Sequence, residues 1–338
     1  MRAVTVGVVS IGDMGLGIAK LLKAHDYRVV TVGEGRSEHT LARIEAANIE
    51  ALPSDQELVI QADYVLSIVP PVHALATAAR ISQAINRPDT ASKRAVISDV
   101  NNRPDRSPLY FLELNATSSR LVEEIAALFL DPSSGASDSC KCKCEVFDGG
   151  IIGGPPSQDA HSLWKRPSIV LSGAAHQPPT FARLAEVLNL KVVSARVGAA
   201  STLKLSFAAL TKGLTALSIL SFSTAQKEEL LPELLDHLQL HSPHTAALAG
   251  AGVVGMSPKA YRWVDEMHNI GEAFDREGGW GGIGASVYDG FAEIYRTVAD
   301  DTILGQERVE ARRRGTNVAD AATIIAERLQ KPPTGSEK

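Results

Sequence analysis

Lys204 is the residue of this chain whose type and setting most clearly suit it for chemistry. It stands in the second turn of GAASTLKLSFAALTKG (198–213), a run of small and apolar residues. An ammonium held among such residues is costly unless it reaches solvent or serves a reaction. On a helix it shares one line with Ala208, Thr211, Thr215 and Ser218, flanked by Leu203, Leu205, Phe207, Leu210, Leu214 and Leu217. That pattern is a narrow polar stripe suited to a cleft, where the amine could exchange a proton with a substrate oxygen. Taken alone, the plainer reading is a lysine that snorkels to solvent.

A second chemical signal lies near the N-terminus, in VGVVSIGDMGLGIAKLL (6–22). Gly12 and Gly15 fall where a first strand turns into a first helix, a geometry that lets backbone N–H groups meet a pyrophosphate at a helix N-terminus. The pattern G-x-G-x-x-G would need glycine where Ser10 stands. The turn of Ser10, Gly12, Asp13, Met14 and Gly15 nevertheless opens a βαβ series, and a dinucleotide is the expected ligand. The segment after the second strand, VVTVGEGRSEHT, offers Glu34 as a ribose-binding carboxylate. It also offers Arg36 and Ser37, with Thr40 behind them, as readers of a 2′-phosphate. The expected cofactor is NADP (NADPH).

The elements that must position these residues follow from periodicity. Strand runs VTVGVVS, YRVVTV, DYVLSIVPP, RAVISDV, LYFLEL, CEVFDGG, SIVLSG and KVVSARV alternate with helical patterns GLGIAKLLKAH, HTLARIEAA, SRLVEEIAALF and TFARLAEVLNL. Periodicity leaves open whether RAVISDV or LYFLEL is central; NNRPDRSP between them reads as an inserted loop. Beyond Gly198 only helical patterns remain, over about 199–227, 229–240, 243–252, 257–277, 284–300 and 317–331, interrupted by GGWGGIG (278–284). The expected architecture is α/β. A Rossmann-type, doubly wound sheet domain over 1–197 precedes an all-α domain over 198–330, with an interdomain helix at 198–227 and a flexible tail at 331–338.

Composition bounds the partners. The chain has 338 residues, 44% hydrophobic, and a net charge of −5, which gives no electrostatic argument for nucleic acid or an anionic membrane; Arg312, Arg313 and Arg314 are too short a run to change that. No apolar segment of about 18 residues and no secretion signal are read, so a cytoplasmic location and a small-molecule substrate are expected. All three cysteines, Cys140, Cys142 and Cys144, lie in CKCKC. Alternation puts them on one strand face opposite Lys141 and Lys143, but no fourth ligand stands at a metal-site spacing. A strand entry is the plainer reading, and no metal is expected.

Three motifs in order, SIGDMG, FDGGIIGGPP (147–156) and GAASTLKLSFAALTKG, resemble the β-hydroxyacid dehydrogenase superfamily, which includes 3-hydroxyisobutyrate and 6-phosphogluconate dehydrogenases. The resemblance covers most of the chain. It is closest to the branch with a helical C-terminal domain of the phosphogluconate-dehydrogenase-like type, to which YRWVDEMHNIGEAF is similar. The resemblance implies that Lys204 is the catalytic lysine and that Asp148 to Gly154 form the substrate loop. It further implies that Gly12, Met14 and Gly15 hold cofactor, that Val69, Pro70 and Pro71 lie along the nicotinamide ribose, and that Asn115, Thr117 and Ser118 follow the fifth strand. It also implies a homodimer. Asn115 is a candidate hydrogen-bond donor to the substrate oxygen.

The chain departs from the family at three places. Ile152 replaces a carboxylate-holding serine, Ala208 an asparagine, and Thr211 the acid of decarboxylating relatives, so sugar-phosphate decarboxylation is not expected. Substrate contacts are then assigned to Asn115, Ile152, Gly153, Gly154, Lys212, His268 and Trp280. The expected activity is NADP(H)-dependent interconversion of a small secondary alcohol or β-hydroxy acid and its ketone, with Lys204 as general acid/base. An imine reductase and a catalytically silent NADP-binding sensor or scaffold are the alternatives.

Overall fold

A computed structural model describes residues 4–100, 108–115, 117–130, 142–173, 176–307 and 311–330. Cys140, most of NNRPDRSP and the tail 331–338 lie outside the described residues. The chain divides into two compact units, Met1–Lys204 and Leu205–Lys338, where the sequence pattern places the junction at 197/198.

The first unit runs β1 (Thr5–Val8), α1 (Asp13–Lys23), β2 (Arg28–Val32), α2 (Glu38–Ala46), β3 (Glu50–Leu52), α3 (Asp55–Gln61), β4 (Tyr64–Ser67), α4 (Ala74–Ile85) and α5 (Thr90–Val100). It continues through β5 (Leu109–Glu113), α6 (Ser119–Ala127), β6 (Cys144–Ile152), the short pair β7 (Ser157–Gln158) and β8 (Trp164–Lys165), β9 (Ser168–Gly173), α7 (Phe181–Leu188), β10 (Leu190–Ser194) and the first turns of α8 (Ala199–Lys227). Eight strands form one sheet in the order β10-β9-β6-β5-β4-β1-β2-β3. All neighbours are parallel except β6 and β9. Helices cover both faces, so β1, β4 and β5 are apolar runs buried throughout. Alternation divides them: Tyr64, Leu66, Tyr110 and Leu112 join one core, Val65, Leu109 and Phe111 the other. Strand order reverses between β1 and β4, which opens a crevice at their carboxyl ends.

One strand expectation is corrected. RAVISDV lies within α5, and β5 is the strand beside β4. The reason is tertiary: Arg94, 6% exposed, donates to the carbonyls of Val59 and Ala62 at 2.7 and 2.5 Å, where α3 ends and its carbonyls lack intrahelical donors. Docking through that guanidinium outweighs the β-branched Val96 and Ile97. β3, α3 and α4 are additional to the elements read from periodicity.

The second unit holds the rest of α8 with α9 (Leu231–His241), α10 (Pro243–Met256), α11 (Ala260–Arg276), α12 (Ile283–Asp301) and α13 (Val318–Leu329). Its core is built on Phe222, Val253, Met267, Ile270, Tyr295 and Ile325. Helices α11 and α12 approach closely because Gly284 lies against Gly271: a Cβ on Gly284 would stand 2.7 Å from the Gly271 carbonyl oxygen. The polar stripe expected on α8 is also corrected. Ala208, Thr215 and Ser218 are buried, and the two hydroxyls bond to carbonyls of their own helix. These small residues permit close packing: a Cβ on Gly252 would lie 2.4 Å from Thr215 Oγ1. The apolar Phe207, Leu210, Leu217 and Leu220 are instead exposed, Leu210 by 79%. By length and composition alone α8 could cross a membrane, with mean hydropathy 1.5 over an 18-residue window; half of that window is buried inside the protein. This departs from the expectation that no apolar segment reaches about 18 residues.

Candidate functional site

The glycine-rich turn sits at the switch point of the sheet. Gly12 is extended, α1 starts at Asp13, and no side chain among the described residues caps that helix. Its first-turn N–H groups are therefore suited to an anion. A Cβ on Gly12 would meet nothing within 4 Å, whereas one on Gly15 would stand 1.9 Å from the Ser10 carbonyl oxygen. Gly15 thus sets how closely α1 approaches the turn. Met14 packs on the core and Asp13 pairs with Arg43 at 2.9 Å. Gly15→Ala is expected to cost about 1–3 kcal/mol, as forced overpacking does, and to lower the thermal midpoint measured by circular dichroism.

Gly17 extends the same surface. A Cβ there would lie 2.9 Å from Pro156, so the loop after β6 rests on α1. That loop holds Gly153 in the left-handed region (φ +121°), while Gly154 is open and Ile152 ends the pairing with β9 at Ser168.

After β2 the chain forms a hollow of about 470 Å³ lined by Glu34, Arg36, Asp55, Gln56, Arg80 and Arg87. Arg36 donates to the carbonyls of Val9 at 2.8 Å and Val32 at 3.4 Å. Burial, and then the Arg80 charge, pulls its pKa below the usual arginine value. Ser37 caps α2, accepting from Thr40 N at 3.3 Å. Arg80 pairs with Asp55 at 2.9 Å, and Arg87 donates to Gln56 at 3.0 Å. Sequence reasoning missed Arg80 and Arg87, which lie on and just beyond α4 and join Arg36 only through the fold.

At the carboxyl ends of the central strands Ser67, Glu113 and Asp148 stand in register on β4, β5 and β6. Glu113 and Asp148 are completely buried. Asn115 ties this row to the loop after β4. Its Oδ1 accepts from Val69 N at 2.6 Å, and its Nδ2 donates to Ser67 Oγ at 3.1 Å and to Glu113 Oε1. The Asn115 amide is thereby committed to holding Val69 in front of Pro70 and Pro71, which makes it a positioning residue. Ser118 caps α6, and Thr117 Oγ1 is buried without a partner among the described residues. Glu113 Oε2 is in the same condition. Burial raises the Glu113 pKa to about 7, against the opposing hydrogen bonds from Ser67 and Asn115.

Asp148, by contrast, is ringed by hydrogen-bond donors. Its Oδ2 accepts from Ser172 Oγ and from the amides of Ala200 and Ser201, and its Oδ1 accepts from Ser201 Oγ, over 2.5–3.1 Å. A carboxylate so placed fixes the first turn of α8, whose N–H groups it satisfies. One turn later the Lys204 side chain presses on β6: a Cβ on Gly150 would lie 2.6 Å from Lys204 Cβ. The first unit thus brings together the glycine turn, the loop at 152–156, the Asn115 clamp and the stem of Lys204.

The other nominated residues lie in the second unit. Lys212 forms an ion pair with Glu266 and sits 4.7 Å from the centre of the Trp263 ring, and Tyr295 donates to its carbonyl at 2.5 Å. That half-buried ammonium is engaged within the helical bundle, which removes it as a ready substrate contact. His268 Nδ1 pairs with Asp289 at 2.7 Å on an exposed surface. Trp280 is 59% exposed in a loop whose Gly279, Gly281 and Gly282 have positive φ. Cys142 and Cys144 share a face and pack with Val146 against the sheet core, and burial raises both thiol pKa values. Among the described residues no three histidine, cysteine or acidic side chains converge as metal ligands.

Residues 5–102 match the family described as NADP oxidoreductase, coenzyme F420-dependent, and residues 225–298 match a domain of unknown function, DUF1932. A conserved hypothetical protein from Sinorhizobium meliloti 1021 is similar in structure at TM-score 0.60, with 19% identity over 97% of this chain and 97% of that one. A 3-hydroxyisobutyrate dehydrogenase from Mycobacterium tuberculosis, solved with L-serine, is similar at TM-score 0.62, with 16% identity over 96% and 99%. A reductive aminase from Aspergillus terreus, solved with NADPH and ethyl levulinate, reaches TM-score 0.50 at 16% identity over 96% and 99%. No curated protein sequence matches the chain significantly. The fold matches that of hydroxyacid dehydrogenase structures, a Rossmann-type domain followed by a helical domain. The chain's sequence carries a segment that matches the F420-dependent NADP oxidoreductase family, followed by one that matches DUF1932.

Proposed function

We propose that the chain is an NADP(H)-dependent oxidoreductase that interconverts a secondary alcohol or β-hydroxy acid and its ketone. The observation that carries this reading is the Asp148 clamp on α8, which sets the Lys204 stem against Gly150 at the same strand ends as the glycine turn. The cradle suits a dinucleotide, since open space at Gly12 and an uncapped α1 leave room for a pyrophosphate. When bound, the nicotinamide supplies the hydride chemistry. Lys204 Nζ removes the proton of the substrate hydroxyl as the hydride leaves carbon, and returns it in reduction. Asn115 holds the Val69–Pro71 loop, and Ile152 gives the substrate an apolar neighbour in place of a carboxylate-binding hydroxyl. That same Ile152 favours an imine as the second reading, because a C=N substrate brings no carboxylate.

The hollow of Arg36, Arg80 and Arg87 supports NADP over NAD, because guanidinium groups match a phosphate in bidentate fashion. Titration with NADPH and with NADH, followed by quenching of the three tryptophans, tests the reading. Submicromolar NADPH binding with NADH much weaker supports it; no binding of either below millimolar overturns it. Arg36→Ala is expected to weaken NADPH by about 10- to 100-fold, the value of a charged hydrogen bond, and to leave NADH unchanged.

The helical unit carries the dimer part of the proposal. Exposed Leu210, Leu217 and Leu220, and an apolar groove of about 630 Å³ that runs on to Leu230 and Leu234, suit a second copy of the chain. Leu217→Glu is expected to shift sedimentation from dimer to monomer. An unchanged dimer would place the interface elsewhere.

A further inference from the structure

We propose that Glu113 is a proton site tied to the redox state of the cofactor. At neutral pH it is part protonated in the free protein and in the NADPH complex, and it gives up that proton when NADP+ binds. This rests on reading the carboxyl ends of β4 and β5 as the nicotinamide side of the site.

The geometry separates two adjacent buried acids. Asp148 accepts four hydrogen bonds, from Ser172, from the Ser201 hydroxyl and from the first amides of α8. Glu113, beside it in register, is hydrogen-bonded by Ser67 and by the Asn115 backbone and side-chain amides, and its Oε2 lies buried without a partner among the described residues. The groups that face it are Ser67 from β4, Asn115 from the following loop and the Asp148 carboxylate from β6, while the nearest cation on α8, Lys204, lies along Gly150. A second negative charge next to Asp148 is disfavoured, and desolvation acts in the same direction.

Coupling to the ligand runs through one side chain. Asn115 bonds Glu113 with its amide nitrogens and Val69 N with its oxygen, so Glu113 stands directly behind the loop read as lining the nicotinamide. The oxidised ring is a cation and the reduced ring is neutral. A unit positive charge within several ångströms of a buried carboxyl lowers its proton affinity by about ten- to a hundredfold. The oxidation then balances without net charge in the site. Carboxylate, oxidised cofactor and alcohol become carboxylic acid, reduced cofactor and ketone; the hydride goes to the ring, and a proton equal to the one leaving the hydroxyl through Lys204 is taken up at Glu113.

The test is calorimetric titration of NADP+ and NADPH at pH 7 in phosphate and in Tris, whose different ionisation enthalpies reveal the protons exchanged. Any proton from the 2′-phosphate is common to both cofactors and cancels in their difference. NADP+ is expected to release about half a proton per site more than NADPH, as for a group half protonated at that pH. Glu113→Gln is expected to remove the difference while both cofactors still bind. Equal proton release by both cofactors in the wild type, or a difference that persists in Glu113→Gln, overturns the proposal and leaves the cofactor reading intact. Absence of binding heat with either cofactor overturns both. Infrared difference spectra of the wild type need no variant: loss of a protonated carboxyl band in the NADP+ complex alone is expected, and identical bands in the two complexes count against Glu113.

Discussion

Lys204→Ala is expected to lower turnover by roughly two to four orders of magnitude, the usual range for loss of a positioned general acid/base, with NADPH affinity unchanged within a factor of about three. The separation follows from where the side chain sits. Its stem lies on Gly150 at the end of β6, while the pyrophosphate cradle is built from Gly12, Gly15 and the start of α1. Removing the amine therefore removes the proton carrier and leaves the cradle. Steady-state kinetics beside a fluorescence titration make the measurement, and small primary amines added to the variant are expected to restore part of the rate. A variant that keeps wild-type turnover would assign the proton to another group; a wild type that binds NADPH and turns over no ketone, hydroxy acid or imine would favour a sensor or scaffold.

The second large effect is on stability. Glu113 has a folded-state pKa of about 7 against an ordinary value of 4.5. The folded chain therefore keeps a proton that the unfolded chain gives up, and stability falls as pH rises from about 4.5 to 7, then levels off. The whole change amounts to about 3 kcal/mol. Glu113→Gln cannot ionise and keeps an acceptor for Asn115, so its urea midpoint is expected to lose this pH dependence. Relative to the wild type it gains stability between pH 5 and pH 8, less the constant cost of burying the new amide donors. Parallel slopes for wild type and variant between those pH values would show that Glu113 is ionised in the folded protein.

The sequence made the frame of the site legible because the frame is local. The spacing of Gly12 and Gly15 after an apolar strand, and the small residues around Lys204, report constraints that act within a few residues. The loop positions 69–71 and 148–154 came from resemblance rather than from the residues themselves. RAVISDV read as a strand because β-branched residues dominate it; what decides the helix is an Arg94 bond to carbonyls more than thirty positions away. The same limit applies to Arg80 and Arg87. They are seven residues apart, a spacing that by itself marks only an ordinary solvated surface, and they gain meaning only from Arg36 across the hollow. Asn115 read as a substrate donor because its type suits one, whereas the fold turns its amide inward. Glu113 had a usable signal, a single carboxylate inside the apolar run LYFLEL, whose burial could be inferred once that run was the central strand.

The clamp at Asp148 sets the phase of a helix. A helix leaves its first turn with every later side chain fixed in azimuth at 100° per residue, and Lys204 follows the clamped Ala200 and Ser201 by about one turn. The amine is thus indexed to the sheet before the chain enters its second unit at Leu205. A chimaera joined just after residue 204 would inherit the lysine's bearing from the donor of the first unit, whatever bundle follows, and that junction is the natural one for exchanging helical domains among such proteins.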